Sequence, residues 1–213
     1  MPDLRRIAAR DERVGYQVVS LLLGYPDESL RHRLPELRDV VAVLPSTLST
    51  PLQALLEHLG SGSLIERQAE YVEVFDTRRR CCLYLTYYAY GDTRKRGQAL
   101  LSFKQAYRRA GLVLTDGELP DHLAVVLEFA ATADLEAGRQ LLLDHRAGLE
   151  LLALALRDVR SPYRHALDAV SATLPRLRGD EQEAVRRLVV QGPPDEEVGL
   201  EPFAPPDLMG ARR

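Results

Sequence analysis

Side chains capable of covalent or metal chemistry are few in this sequence, and their spacing assembles none of the usual sets. Cys81 and Cys82 are adjacent, which suits neither an ordinary disulfide framework nor the paired Cys/His ligands of a structural zinc site; buried free thiols are the expectation. His32, His58, His122, His145 and His165 fall on different predicted segments, where each reads as a surface or packed residue rather than a ligand. Only His122 has neighbours that suggest more. No glycine-rich phosphate loop, Gly-x-Ser-x-Gly elbow or His-Glu-x-x-His pair occurs, and no strand, glycine and helix unit offers a dinucleotide site. The expectation is a binding protein without catalysis, metal or cofactor of its own.

Candidate binding groups are charged and aromatic. On a helix predicted to begin near Pro120, Asp121 and Glu128 are seven residues apart and so project within about 20° of each other, opposite Leu123, Leu127 and Ala130. Ala124 and Val125 lie between them and Phe129 flanks the line, so these acids border apolar surface. They are placed to meet a basic residue of a bound peptide; the alternative is internal pairing with arginines such as Arg78, Arg79 and Arg80. His122 could serve either role. Tyr84, Tyr87 and Tyr88 offer large contact area with few rotatable bonds and a polar tip, which suits a peptide groove as well as a core. Arg78 to Arg80 with Arg94, Lys95 and Arg96 form two basic clusters that could contact acidic surface or phosphates, or simply complement helix ends.

These groups must be held by helices. Val14, Val18, Leu21 and Leu22 draw one helical stripe, ended by Gly24-Tyr25-Pro26. A proline-punctuated stretch follows, read as irregular. Thr50-Pro51-Leu52-Gln53 predicts an N-cap, first-turn proline and capping-box glutamine for a helix closed by Gly60, and Ser63 with Glu66 predicts a second capping box ahead of Leu64, Tyr71, Val72 and Phe75. The run from Cys82 to Tyr90 has strand-like composition, but no second strand offers a partner, so a buried helix is expected. Asp92 can cap a helix through Phe103 and Tyr107 to Gly111. Beyond the segment from Pro120, Asp134 can cap one long helix to Val159, and Ser161-Pro162 starts another toward Leu174. A short amphipathic helix is expected from Gly179 to about Val190.

The chain has 213 residues, 46% hydrophobic and 28% charged, and a formal net charge of -3, ordinary values for one globular unit and contrary to a protein dedicated to nucleic acid. No run approaches the roughly 20 apolar residues of a membrane span. The charged N-terminus lacks a secretory pattern, so the chain is expected to stay in the cytoplasm. Together these patterns predict an all-α, single-domain helical bundle over residues 1–190, with residues 191–213 a disordered, proline-rich tail.

Residues 70–131 carry a specific resemblance. The elements FDTRRR, LYLTYY, GDTRKRG and ELPDHL followed by LEF, in that order, resemble the NarJ family of nitrate reductase assembly chaperones. The wider redox-enzyme chaperone family that includes TorD and DmsD has a Tyr-x-x-x-Phe element, matched by Tyr71 and Phe75. It also has an acidic-Pro-x-Asp-His motif, approximated by Glu118, Pro120, Asp121 and His122 with one extra residue after the acid. Ala124 departs from the pattern where relatives often have proline. The resemblance implies a helical chaperone for nitrate respiration or assimilation that binds an unfolded client. The client would be the apo alpha subunit of a nitrate reductase, bound through its N-terminal region and a second surface and held off the membrane until bis-molybdopterin guanine dinucleotide is inserted. It admits molybdenum cofactor biosynthesis proteins as further partners, and implies neither nucleic acid nor membrane insertion. Tyr71, Phe75, Arg78, Tyr84, Tyr87, Tyr88, Asp121, His122 and Glu128 are the expected client contacts. The competing readings are a helical nucleic-acid-binding regulator that uses the arginine clusters, and a helical enzyme.

Overall fold

The computed structural model describes residues 7–177 except 92, 115 and 116, together with 179 and 183. Among the described residues ten α-helices follow one another: α1 (Ala9–Leu22), α2 (Glu28–Ala42), α3 (Ser46–Gly60), α4 (Leu64–Tyr71), α5 (Tyr87–Tyr90), α6 (Arg94–Arg109), α7 (Leu123–Thr132), α8 (Leu135–Asp144), α9 (Arg146–Asp158) and α10 (Arg164–Thr173). Helix α1 is the hub. It packs most extensively on α7, and also on α10, α2 and α3, while α8 covers α7 and α10 covers α3. Leu22, Leu56 and Leu127 are fully buried on these helices, each contributing about 1.5–3 kcal/mol by removal from water.

The helix of residues 28–42 lies where the proline-punctuated stretch was expected to be irregular. Asp27 caps it, accepting from the Leu30 amide at 2.7 Å, and Leu34, Leu37 and Val41 are buried at helical spacing. Pro35 is tolerated because it lies on the exposed face, where water can take up the carbonyl its ring leaves without an amide. In α3, too, the proline sits inside the helix: the chain turns helical at Ser46, after Pro45, not at Pro51. The Ser63/Glu66 capping box forms as expected, and α4 runs on as a π-helical turn over Val72–Asp76.

Two further corrections follow from local geometry. The segment from Asp134 to Val159 is broken at His145, whose backbone (φ -111°, ψ 21°) separates α8 from α9; its ring packs on Phe103 with centroids 4.9 Å apart. The run from Cys82 to Tyr90 is helical only over its last four residues. Its first part is extended, and Tyr84 forms an antiparallel bridge with His122. The partner that a lone strand requires is therefore the short segment ahead of α7, which satisfies the backbone without a sheet. Asp92, the expected short helix after Gly179 and residues 191–213 fall outside the described residues.

Polar contacts fasten the hub. Arg139 of α8 donates through Nε to Glu12 of α1 at 2.9 Å and reaches its second oxygen through Nη2. Arg13 donates to the carbonyls of Ala130 and Ala131 at 3.3 and 2.9 Å, groups that the end of α7 leaves without amide partners. Helices α7 and α8 approach so closely at Gly138 that an added Cβ would lie 2.4 Å from Ala130 Cβ and 2.7 Å from Ala130 Cα. Since backbone cannot yield cheaply, Gly138→Ala is expected to destabilise the fold by about 2 kcal/mol, read as a lower midpoint in urea at unchanged slope. An unchanged midpoint would contradict this packing.

Candidate functional site

The site is organised by the crossing of residues 83–86 with residues 120–123. The Leu85 amide donates to the Asp121 carbonyl at 3.0 Å and the Leu123 amide to the Leu83 carbonyl at 2.8 Å. Helix α7 consequently starts at Leu123, with His122 as its N-cap residue, and Asp121 precedes the helix. Its side chain is 0% exposed. Oδ2 accepts from the Thr86 amide at 3.2 Å and the Thr86 hydroxyl at 2.5 Å, with Arg96 Nη2 at 3.7 Å. The same hydroxyl accepts from Arg96 Nε at 3.1 Å, and the guanidinium lies 5.4 Å from the centroid of the Tyr84 ring. The acidic line expected of Asp121 and Glu128 does not form. Asp121 is internally paired, with Arg96 and Thr86 rather than with Arg78 to Arg80.

His122 stacks edge-on against Tyr84, with centroids 5.2 Å apart. Burial lowers its pKa from the ordinary 6.5, opposed by the nearby Glu118 and Asp121 carboxylates; burial also lowers that of His165, with Arg164 and His58 adding to the effect and Asp168 opposing it. A histidine whose folded-state pKa is depressed binds its proton more readily when unfolded, so its contribution is complete above about pH 6.5 and is lost as pH falls through the folded value. Thermal stability is expected to fall on acidification below about pH 6.5, and less steeply in His122→Gln. A wild-type melt independent of pH down to 5 would contradict the buried neutral ring.

The segment ahead of α7 is also fastened by Tyr107, whose hydroxyl donates to the Pro120 carbonyl at 2.6 Å. Between this anchor and α1 lies a groove of about 590 Å³ lined by Ser20, Leu21 and Gly24 of the α1 end, Ala124, Val125, Glu128, Phe129 and Thr132 of α7, and Tyr107, Leu112, Val113, Leu114 and Glu118. Its floor is the contact of Tyr107 with Phe129, centroids 4.6 Å apart. Ser20 donates to the Ala124 carbonyl at 2.8 Å, which fixes α1 to α7 along one wall. The opposite rim is apolar and open to solvent, Leu112 at 42% and Val113 at 84% exposure. Glu118 and Glu128 are exposed, and among the described residues no Lys or Arg lines the groove. Such a surface can take apolar side chains of an extended or helical segment and attract a cation at its edge. Among the described residues no group of His, Cys, Asp and Glu is arranged to hold a metal ion, and no helix is long and apolar enough to cross a membrane.

Of the expected client contacts, Glu128 alone lies in this groove, with Ala124, Val125 and Phe129 beside it and the motif acid Glu118 also in the lining. Tyr71 and Phe75 are buried elsewhere, in an aromatic cluster with Tyr163 at centroid distances of 4.8 to 5.9 Å; the Tyr71 hydroxyl donates to the Leu23 carbonyl at 3.0 Å. Tyr88 is buried and donates to the carbonyls of Arg80 and Cys82, both at 2.9 Å. Tyr87 is buried beside it, while Tyr84 is half-buried under Arg96. Arg78 pairs with Glu73 at 2.7 Å. Sequence reading missed Leu112, Val113 and Leu114, whose signal is three consecutive apolar residues directly after the helix-ending Gly111, and it missed that Glu118 and Glu128 line the same groove.

The family model described as nitrate reductase delta subunit matches residues 42–169. The chain is 39% identical over 160 residues to the nitrate reductase-like protein NarX of Mycobacterium tuberculosis, an overlap of 75% of this chain and 24% of that protein. It is 33% identical over 165 residues to a Bacillus subtilis protein described as "Probable nitrate reductase molybdenum cofactor assembly chaperone NarJ", covering 77% and 90% of the two chains. With the Escherichia coli nitrate reductase molybdenum cofactor assembly chaperone NarJ, identity is 34% over 154 residues, covering 71% and 65%. The chain thus spans about a quarter of the NarX protein and just under two thirds of the Escherichia coli one. Among solved structures, one described as a redox enzyme maturation protein from Archaeoglobus fulgidus matches with a TM-score of 0.52 at 22% identity, covering 83% of this chain and 93% of that one; it shares the all-helical fold.

Proposed function

Because the chain belongs to the nitrate reductase delta subunit family, we propose that it is an assembly chaperone for a nitrate reductase. It binds the apo catalytic subunit through the groove between α1 and α7 and keeps that subunit competent for molybdenum cofactor insertion before membrane attachment. The observation that carries this reading is the groove itself: an aromatic floor, an apolar open rim and two carboxylates with no cation among the described lining residues. That chemistry fits an amphipathic client segment with a basic residue, such as the N-terminal region of the subunit. Covering the segment would keep it from its later contacts, and the cost of ordering it keeps the complex releasable. In this proposal the cofactor belongs to the client; among the described residues no group of His, Cys, Asp and Glu is arranged to hold a metal ion. A second surface for the client, contacts with cofactor biosynthesis proteins and a cytoplasmic location are parts of the same proposal. Against the regulator reading, Arg78 and Arg96 of the two basic clusters are turned to Glu73 and Asp121.

The test is co-purification from cells expressing the reductase. The tagged chain is expected to retain apo catalytic subunit and to release it once cofactor is loaded. Deleting the gene should leave catalytic subunit that is made but lacks molybdenum. Recovery of fully loaded reductase from the deletion strain would overturn the proposal.

A further inference from the structure

We propose that residues Leu208–Arg213 of this chain occupy the same groove as an internal competitor of the client. The inference rests on the client-binding reading above and concerns how that site is regulated. This segment, Leu-Met-Gly-Ala-Arg-Arg, places two large flexible apolar side chains next to two arginines, the combination that the groove's apolar floor and acidic rim select. The rest of the proline-rich stretch offers no cation, since residues 191–207 contain Asp195, Glu196, Glu197, Glu201 and Asp207 and no Lys or Arg, and the carboxylates Glu118 and Glu128 would repel these acids.

The path is short. Helix α10 ends at Thr173, whose hydroxyl lies 2.6 Å from that of Tyr16 on α1. Ser20, one helical turn further along the same face of α1, is part of the groove wall. The chain therefore leaves α10 about one turn, or roughly 6 Å along α1, from the groove. The 30 residues 178–207 have a reach of at most roughly 100 Å, ample to return to it. A tether of this length holds its end at an effective concentration on the order of 1 mM. A segment with a Kd of roughly 0.2 mM would then be seated most of the time and would weaken client capture about sixfold.

The test uses the full chain in two variants, Leu208→Asp with Met209→Asp, and Arg212→Glu with Arg213→Glu. Methyl resonances of Leu112, Val113, Leu114 and Val125 are expected to shift in both, with those of the core residues Leu152 and Leu156 unmoved. A synthetic peptide carrying the N-terminal segment of the cognate catalytic subunit is expected to bind both variants about threefold to tenfold more tightly than the unaltered chain. Groove methyls that superimpose on those of the unaltered chain would overturn the proposal, as would equal peptide affinities. Differences that grow with protein concentration would place the segment of a second copy in the groove and overturn the intramolecular assignment. Methyl shifts together with absence of peptide binding to any of the chains would support the seated segment and count against the client reading alone.

Discussion

Asp121→Lys is expected to leave little folded protein at 37 °C. The carboxylate is fully buried, receives two hydrogen bonds from Thr86 and neutralises Arg96, itself mostly buried. Lysine would remove that charge and place a second cation beside the first, where neither can reach water. Breaking a buried pair in this way costs about 3–5 kcal/mol, a large part of the 5–15 kcal/mol that typically holds a domain together. Asp121→Asn keeps the volume and an acceptor for Thr86 but not the charge, and should cost about 1–3 kcal/mol. Urea denaturation followed by circular dichroism separates the two. A wild-type midpoint for Asp121→Lys would mean that the side chain is at the surface, as the sequence spacing suggested.

The opposite pattern is expected for Glu118→Lys combined with Glu128→Lys. Both side chains are exposed, so stability should change by about 1 kcal/mol or less, and helix α7 is indifferent to the exchange at Glu128. Client capture should fall on the order of 100-fold, because each substitution turns an attraction into a repulsion at the edge of an apolar site. The binding lost should be the salt-sensitive part: affinity of the unaltered chain for the client peptide should decline with ionic strength, and that of the double variant should not. Unchanged affinity in a folded double variant would remove the acidic rim from the account.

These two results separate residues that the sequence could not. Asp121 and Glu128 look alike on a helical wheel, and the wheel is valid only if the helix includes both. It does not, because the extended run Leu83–Leu85 takes the backbone groups of residues 121 and 123, and a pairing between segments so distant in sequence leaves no local periodicity to read. The strand-like composition around Tyr84 was the available signal. It was outweighed by the absence of a regular partner strand. Capping residues were read correctly at Ser63 and Asp134 because a cap acts over three residues. Pro35 and Pro51 misled because a proline's effect depends on which way its face is turned, and that is set by tertiary packing. The groove was half legible: Ala124, Val125, Glu128 and Phe129 follow from the period of α7, whereas Leu112, Val113 and Glu118 join them through the anchor of Tyr107 on Pro120. The motif residues Tyr71 and Phe75 were legible as a pair, but their burial against Tyr163 makes them part of what holds α10 in place.

Binding of the client's N-terminal segment between α1 and α7 is tested most directly by titration of the methyl-labelled chain with a peptide of that segment. Saturable shifts are expected at Leu112, Val113, Leu114, Val125 and Leu21, and they should disappear in the Glu118→Lys, Glu128→Lys chain. Saturable shifts confined to other surfaces, such as the exposed face of α6 or the surroundings of Ile65, with the groove methyls silent, would contradict it.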